Sequence, residues 1–269
     1  MHRWGRKMAH YFNLIKVFIK VNLQMAMAYR ADTLTNMFVN LMWLMWELLS
    51  LNIIFSNTDS LAGWQMGDLL ILLGVFRIVN MLMFIMIWPA TEKFNTSIRD
   101  GSFDYVLLQP VPSLFVVSFS RLTIWRLWDL LLALGLIIVG FGQSEASFAA
   151  VHLAAFAALA FSGIVIIYSL WVVLIALTFW FTKFDNNVTI LHALMDAGRY
   201  PVMVYPVWLQ VIITFIIPIA VATTVPVQAL QGGLLLWQIA GYLLIGLAAF
   251  VAANLFWRFG VRKYSGASS

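Results

Sequence analysis

The chain has 269 residues, 63% of them hydrophobic and 10% charged, with a mean hydropathy of +0.92, whereas soluble domains average about 45–50% apolar and about 25% charged. A soluble globular protein is therefore excluded, and because apolar runs recur along the whole length the chain reads as a polytopic membrane protein. The lack of cysteine excludes disulfides, Cys-ligated zinc, iron–sulfur clusters and thiol nucleophiles.

Residues 1–32 carry Arg3, Arg6, Lys7, Lys16, Lys20 and Arg30 against Asp32 alone, so this segment holds as much charge as the net +5 of the whole chain. Asn13, Lys16, Lys20 and Gln24 step by three and four, with Tyr11, Leu14, Ile15, Phe18 and Met25 around the remaining face. The spacing predicts an amphipathic elbow helix lying in the membrane interface. No continuous apolar stretch with a small-residue cleavage site is present, so the segment reads as mature structure rather than a signal peptide. Its charge suits anionic cytoplasmic lipid, not nucleic acid.

A bilayer core takes about 20 apolar residues per helix. Six segments in residues 33–257 meet or approach that length: Thr33 to Phe55, Leu69 to Pro89, Ser118 to Phe141, Phe148 to Phe181, Met203 to Thr223 and Leu234 to Phe256. The fourth is too long to stand upright and must tilt, break or project into the cytoplasm. Ten-residue alternation is absent, so a barrel is excluded and the fold class is all-α. Fifteen of the sixteen Lys and Arg flank the spans on one side, while the loops Ser56 to Asp68, Gly142 to Ser147 and Thr224 to Gly233 hold none. The excess of positive charge puts both termini, the connection after span two, the connection after span four with Lys183 and Arg199, and the basic tail 258–269 in the cytoplasm.

Charges inside the membrane cost several kcal/mol and are functional hypotheses by default. Glu47 lies eight residues before the end of span one and Arg77 eight residues after the start of span two, which places both about 12 Å below the outer boundary. They are expected to pair, more as a structural lock between the two spans than as a substrate contact. Arg126 and Asp129 read as an interfacial pair flanked by Trp125 and Trp128. In span four, Ala154, Ala158, Ser162 and Gly163 form a small-residue packing face. His192 and Asp196, at i and i+4, share a helix face and form the one arrangement resembling a general base with its orienting acid; such a spacing arises easily by chance, and a polar interfacial helix is the preferred reading. No catalytic set, metal-ligating cluster or phosphate-binding loop is expected in the chain.

The connection Thr91 to Leu114 reads TEKFNTSIRDGSFDYVLLQPVPSL. It predicts a short helix from Glu92 to Asp100 ended by Gly101, then an apolar patch of Phe103, Tyr105, Val106 and Leu107 before Pro110 and Pro112 stiffen re-entry to the membrane. Loops of this length in compact proteins are usually functional, and this one reads as a docking surface. Pro201, Pro206, Pro218 and Pro226 bracket and interrupt span five. They free backbone carbonyls, so a break is expected near its outer end, with a re-entrant turn through Thr223, Thr224, Gln228, Gln231, Gly232 and Gly233.

Ile98-Arg99-Asp100-Gly101-Ser102-Phe103-Asp104-Tyr105 followed by Leu107-Leu108-Gln109-Pro110 is similar to the I-R-x-G-x-[LF]-D-x-x-L-x-x-P signature of ABC-2 type permeases, the membrane subunits of prokaryotic ABC exporters. Tyr200-Pro201, Tyr205-Pro206, the run Phe215 to Pro218, and Pro226 resemble that family as well, as do the elbow, six spans and cytoplasmic termini. The resemblance implies an ABC-2 (type V exporter-like) permease of the bacterial inner membrane. It would pair with a second six-span protomer and bind a cytoplasmic ABC ATPase dimer, which holds the ATP and Mg. Glu92, Lys93, Ile98, Arg99, Asp100, Gly101, Phe103 and Asp104 would then form the coupling element, and Pro206, Pro218 and Pro226 the extracellular gate. Other readings are an ATP-independent secondary transporter or channel, a membrane-embedded transferase using His192 and Asp196, or a passive anchoring subunit. Secondary transporters usually show paired broken helices and ionisable groups in both halves, whereas here the deep charges fall in the first half.

Overall fold

With no water available in hydrocarbon, each apolar segment must satisfy its own backbone hydrogen bonds, and helices are the result. The computed structural model describes residues 2–144, 149–181 and 187–264. Among these there is no β-strand beyond an isolated bridge between Leu61 and Trp64. Five helices are long and apolar enough to cross a membrane. They are α2 (Arg30–Phe55), α3 (Met66–Arg99), α6 (Ile124–Gln143), α7 (Ala150–Phe179) and α12 (Leu236–Lys263). Alongside them run α1 (His2–Ala28), of 27 residues, and the shorter α4 (Phe103–Leu107), α5 (Ser113–Phe119), α8 (Asn187–Met195), α9 (Val207–Ile216), α10 (Ile219–Ala222) and α11 (Thr224–Leu230).

The elbow α1 meets α2 at a turn on Tyr29. Asn13, Lys16, Lys20 and Gln24 are exposed along it; the polar residue that escaped the sequence reading is Asn22, which is buried. Its amide donates to the Phe18 carbonyl at 2.7 Å and its oxygen accepts the Leu122 N–H at 3.1 Å. The first bond orients the side chain within α1, and the second ties α1 to the turn before α6.

Span two does not stop at Pro89. It continues through a π-helical turn, Met83–Ile87, to Arg99. A proline inside a helix lacks the N–H that the carbonyl four residues earlier expects. Here that carbonyl belongs to Ile85, and it accepts the Thr123 N–H at 2.8 Å instead. A neighbouring segment therefore supplies the missing donor and the helix runs on. Span three begins later than expected, because Ser118 lies in α5, where it is buried and bonded to the Leu114 carbonyl and the Tyr168 hydroxyl. Span four is one helix of 30 residues whose last turn tightens to a 3₁₀ geometry; the expected first residue, Phe148, lies outside the described residues.

Span five is corrected most. Met203 to Thr223 is not one helix: α9 ends in a π turn at Ile212–Ile216, the chain breaks at Ile217 and Pro218, and α10 and α11 follow. The segment before it, placed in a cytoplasmic loop by the charge count, packs inside the bundle. Leu191 and Met195 of α8 are buried in the same core as Ile87 and Trp171, and Arg199 sits over the Phe76 ring at 5.4 Å. Arg199 faces two carboxylates there, Asp196 at 3.1 Å and Glu47 at 3.9 Å, so its charge is paired within the bundle.

Close helix contacts are made by small residues. A Cβ on Gly67 would lie 2.5 Å from the Ser144 nitrogen and one on Gly74 2.8 Å from the Ala133 carbonyl, which locks α3 to α6. Ser162 fits against Gly246 of α12, and Gly163 lies against the backbone of Ala222. Ser162 and Gly163 are thus internal packing positions, whereas Ala154 is exposed.

Candidate functional site

The C-terminal end of α3 is amphipathic at helical spacing. Thr91, Phe94, Asn95 and Ile98 are buried, while Glu92, Lys93, Thr96, Arg99 and Asp100 are exposed. The buried face is held by specific bonds: Trp171 Nε1 donates to Thr91 Oγ1 at 2.7 Å, and Thr178 Oγ1 donates to Asn95 Oδ1 at 3.4 Å. The helix ends at Arg99, and Gly101 takes a φ of +74°, the left-handed conformation that glycine adopts without penalty. The Ser102 N–H donates to Asp100 Oδ1 at 2.9 Å. Bonds from Ser102 hold the Asp100 carboxyl below its ordinary pKa, so it stays an anion at neutral pH.

Two expected docking residues turn inward. Phe103 is fully buried in a ring cluster with Phe94 at 5.3 Å, Tyr264 at 5.3 Å, Phe179 at 5.7 Å and Trp257 at 6.4 Å, and Ile98 is buried beside it. They fasten the hairpin to the inner ends of α7 and α12. The apolar surface that remains exposed is Tyr105, Leu107 and Leu108. Asp104 and Gly101 are half-buried between the two faces. Glu92 accepts a bond from Trp88 Nε1 at 2.9 Å and faces Arg121 at 3.8 Å.

Deeper in the bundle, α2, α3, α6 and the stretch from α8 to Arg199 enclose a cavity of about 540 Å³. Glu47 and Arg77, set at one depth by the sequence, are brought together in its wall. Arg77 Nη2 donates to Glu47 Oε2 at 2.6 Å and Nε donates to the same oxygen at 3.1 Å. Arg77 Nη1 donates to Asn40 Oδ1 at 3.0 Å, and the Asn40 amide donates to Asp129 Oδ1 at 2.9 Å. Arg126 pairs with Asp129 at 3.3 Å and lies 4.3 Å over the Phe84 ring. Arg199 pairs with Asp196 at 3.1 Å and approaches Glu47 at 3.9 Å. Asp196 is therefore turned to Arg199, while His192 packs edge-on to Phe84 at 5.2 Å.

The sequence held a signal for this cavity in four short stripes: Asn36, Asn40, Trp43 and Glu47 on α2; Arg77 and Asn80 on α3; Arg126 and Asp129 on α6; His192, Asp196 and Arg199 beyond α7. Each repeats at three or four residues, which puts its members on one helix face, and all of them line the same space. Read singly, Asp129 looked interfacial and Arg199 looked cytoplasmic.

The three prolines fall at different points of the broken segment. Pro206 is exposed and starts α9, Pro218 is buried at the break before α10, and Pro226 is buried in the first turn of α11, where its missing N–H has no intrahelical partner to lose.

A family model described as ABC-2 family transporter protein matches residues 41–268. No curated protein and no solved structure matches the chain. The matched region takes in α3 with the hairpin that follows it, the broken segment, and the charged cavity apart from Asn36, Val39 and Asn40. The chain belongs to the ABC-2 transporter family and is a multi-pass membrane permease component of the ABC transporter kind.

Proposed function

We propose that the chain is the permease subunit of an ATP-driven exporter in a bacterial inner membrane, working with a separate cytoplasmic ABC ATPase dimer that binds ATP and Mg. A second protomer, either a copy of this chain or a related six-span subunit, completes the path. The observation that carries this reading, beside the family match, is the build of the cytoplasmic hairpin. One face of the α3 extension is hydrogen-bonded to α7 and packs on α12 through Phe94 and Trp257, and the opposite face presents Glu92, Lys93, Arg99 and Asp100. A force applied to that exposed face is delivered to the bundle with little slack, because Phe94 and Phe103 share a ring cluster with Phe179 and Trp257. The sixth crossing of the bilayer would be made by α8 with the two 3₁₀ turns Asp196–Arg199 and Val202–Val204. The segment from Pro206 to Leu230 would then fold as the outer gate. Nothing in the chain supplies hydrolytic chemistry in this reading, so enzyme activity belongs to the partner.

The test is charge reversal on the exposed face. Arg99→Glu combined with Asp100→Lys is expected to abolish stimulation of the ATPase while the protein still inserts in the membrane. Full transport by that double variant would overturn the assignment of this face.

A further inference from the structure

We infer that the cavity between α2, α3, α6 and Arg199 binds the dipolar headgroup of an amphipathic molecule taken from the lipid, with the acyl chain lying along α2. This deepens the permease reading by naming the class of cargo, and it rests on that reading for its transport role alone.

The lining carries three arginines, Arg77, Arg126 and Arg199, and three carboxylates, Glu47, Asp129 and Asp196. A ligand of either net charge would meet one favourable set and one opposed set; a dipolar group meets both favourably. The charges also differ in how firmly they are held. Arg77 and Glu47 make a double hydrogen bond with side chains only 8% and 11% exposed, and they act as fixed wall. Arg199 and Asp196 are 34% and 46% exposed, and Arg199 reaches Glu47 only at 3.9 Å. The Nε of Arg199 is buried and has no hydrogen-bond partner among the described residues, while the side chain as a whole is the most exposed of the three arginines. A ring at the same place suits the cationic end: Trp43 lines the cavity and is 61% exposed, and aromatic faces attract ammonium groups.

Access is from the bilayer. On α2 the lining residues Val39 and Trp43 are 46% and 61% exposed, and Phe38, Met42 and Trp46 beside them are exposed too. From Asn36 to Glu47 the polar stripe extends about 16 Å along the helix, beginning close to the cytoplasmic end of α2. A headgroup in the inner leaflet meets the stripe at Asn36 and finds polar partners up to Glu47 without its chain leaving the hydrocarbon.

The experiment uses the full chain purified in a maltoside detergent, without any ATPase, and a photoactivatable lysophosphatidylcholine as probe. Competitors are single-chain amphiphiles of equal chain length with an anionic glycerophosphate or a cationic trimethylammonium head, and glycerophosphocholine without a chain. Expected are cross-links to α2 and α3 within the lining, and affinity at least tenfold tighter for the zwitterion than for either charged amphiphile. Asn80→Leu and Arg126→Gln should each weaken binding about tenfold. Asn80→Leu alters an uncharged lining residue outside the ion pairs, so it reports on the site even where the arginine variant does not fold. Equal affinity for all three amphiphiles, cross-links elsewhere, or glycerophosphocholine binding as tightly as the lipid would overturn the proposal. Specific binding by a chain whose native membranes yield no co-purifying ATPase would sink the exporter reading and leave the site standing; an ATPase complex recovered from those membranes with a chain that ignores the probe would do the reverse.

Discussion

Neutralising Glu47 should harm the protein more than neutralising Arg77. Glu47 faces two guanidiniums, Arg77 at 2.6 Å and Arg199 at 3.9 Å. Glu47→Gln leaves Arg77, whose side chain is 8% exposed, with the Asn40 oxygen and, beyond it, the Asp129 carboxylate to oppose its charge. Arg77→Gln leaves Glu47 still facing Arg199. Breaking a buried pair by removing one partner costs about 3–5 kcal/mol; Glu47→Gln should fall toward the top of that range and Arg77→Gln toward the bottom. At roughly 2–4 °C per kcal/mol for a chain of this order of size, the losses are on the order of 10 °C in Tm. The double variant Glu47→Gln with Arg77→Gln removes both charges together and should be about 1 kcal/mol or more stabler than the sum of the singles. Thermal unfolding of the four proteins in one detergent measures all of this, with transport of each as a second reading. Equal single losses that add in the double variant would refute the claim that these side chains form one electrostatic unit with Arg199.

Phe103→Ala empties the centre of the ring cluster and should cost about 3–5 kcal/mol; if the hairpin transmits force through that cluster, ATPase stimulation falls further than Tm alone accounts for, which paired assays on the reconstituted complex would show. Gly74→Ala would press a Cβ to within 2.8 Å of the Ala133 carbonyl and should destabilise by about 1–3 kcal/mol, whereas Gly135→Ala, which meets open space, should be nearly neutral; similar Tm values for the two would contradict the packing described for α3 and α6. Asn22→Leu should loosen the elbow by removing both of its bonds to neighbouring backbone, read as faster amide hydrogen exchange at Leu122 with the spans unchanged.

Fold class and the elbow were legible in the sequence because hydropathy, basic flanks and i, i+4 spacing are local signals. The pairing of Glu47 with Arg77 was legible too, since equal distances from two helix ends fix equal depth. Span five was not. Its prolines announce a break but not which neighbour accepts the pieces, and that is decided by contacts such as Gly198 against Ile219 and Thr223, remote from any local rule. The pairing of Arg199 was not legible for a related reason: its partner Glu47 lies 152 positions earlier in the chain. Pro89 is a third instance, where a donor from Thr123 lets a helix continue past a residue that ordinarily ends it. The hairpin after α3 lay between these cases. The motif located it and the helix ended at Gly101, but only the packing of Phe103 and Ile98 separates the residues that hold the hairpin from those that face outward.

Affinity purification of the tagged full chain from its native membranes in mild detergent, with mass spectrometry of the co-purifying proteins and an ATPase assay on the eluate, tests the exporter assignment most directly. Recovery of a soluble P-loop ATPase with vanadate-sensitive hydrolysis, lost from the Arg99→Glu and Asp100→Lys double variant, is the predicted result. Recovery of a stable, folded chain with neither a P-loop protein nor ATP hydrolysis would contradict it.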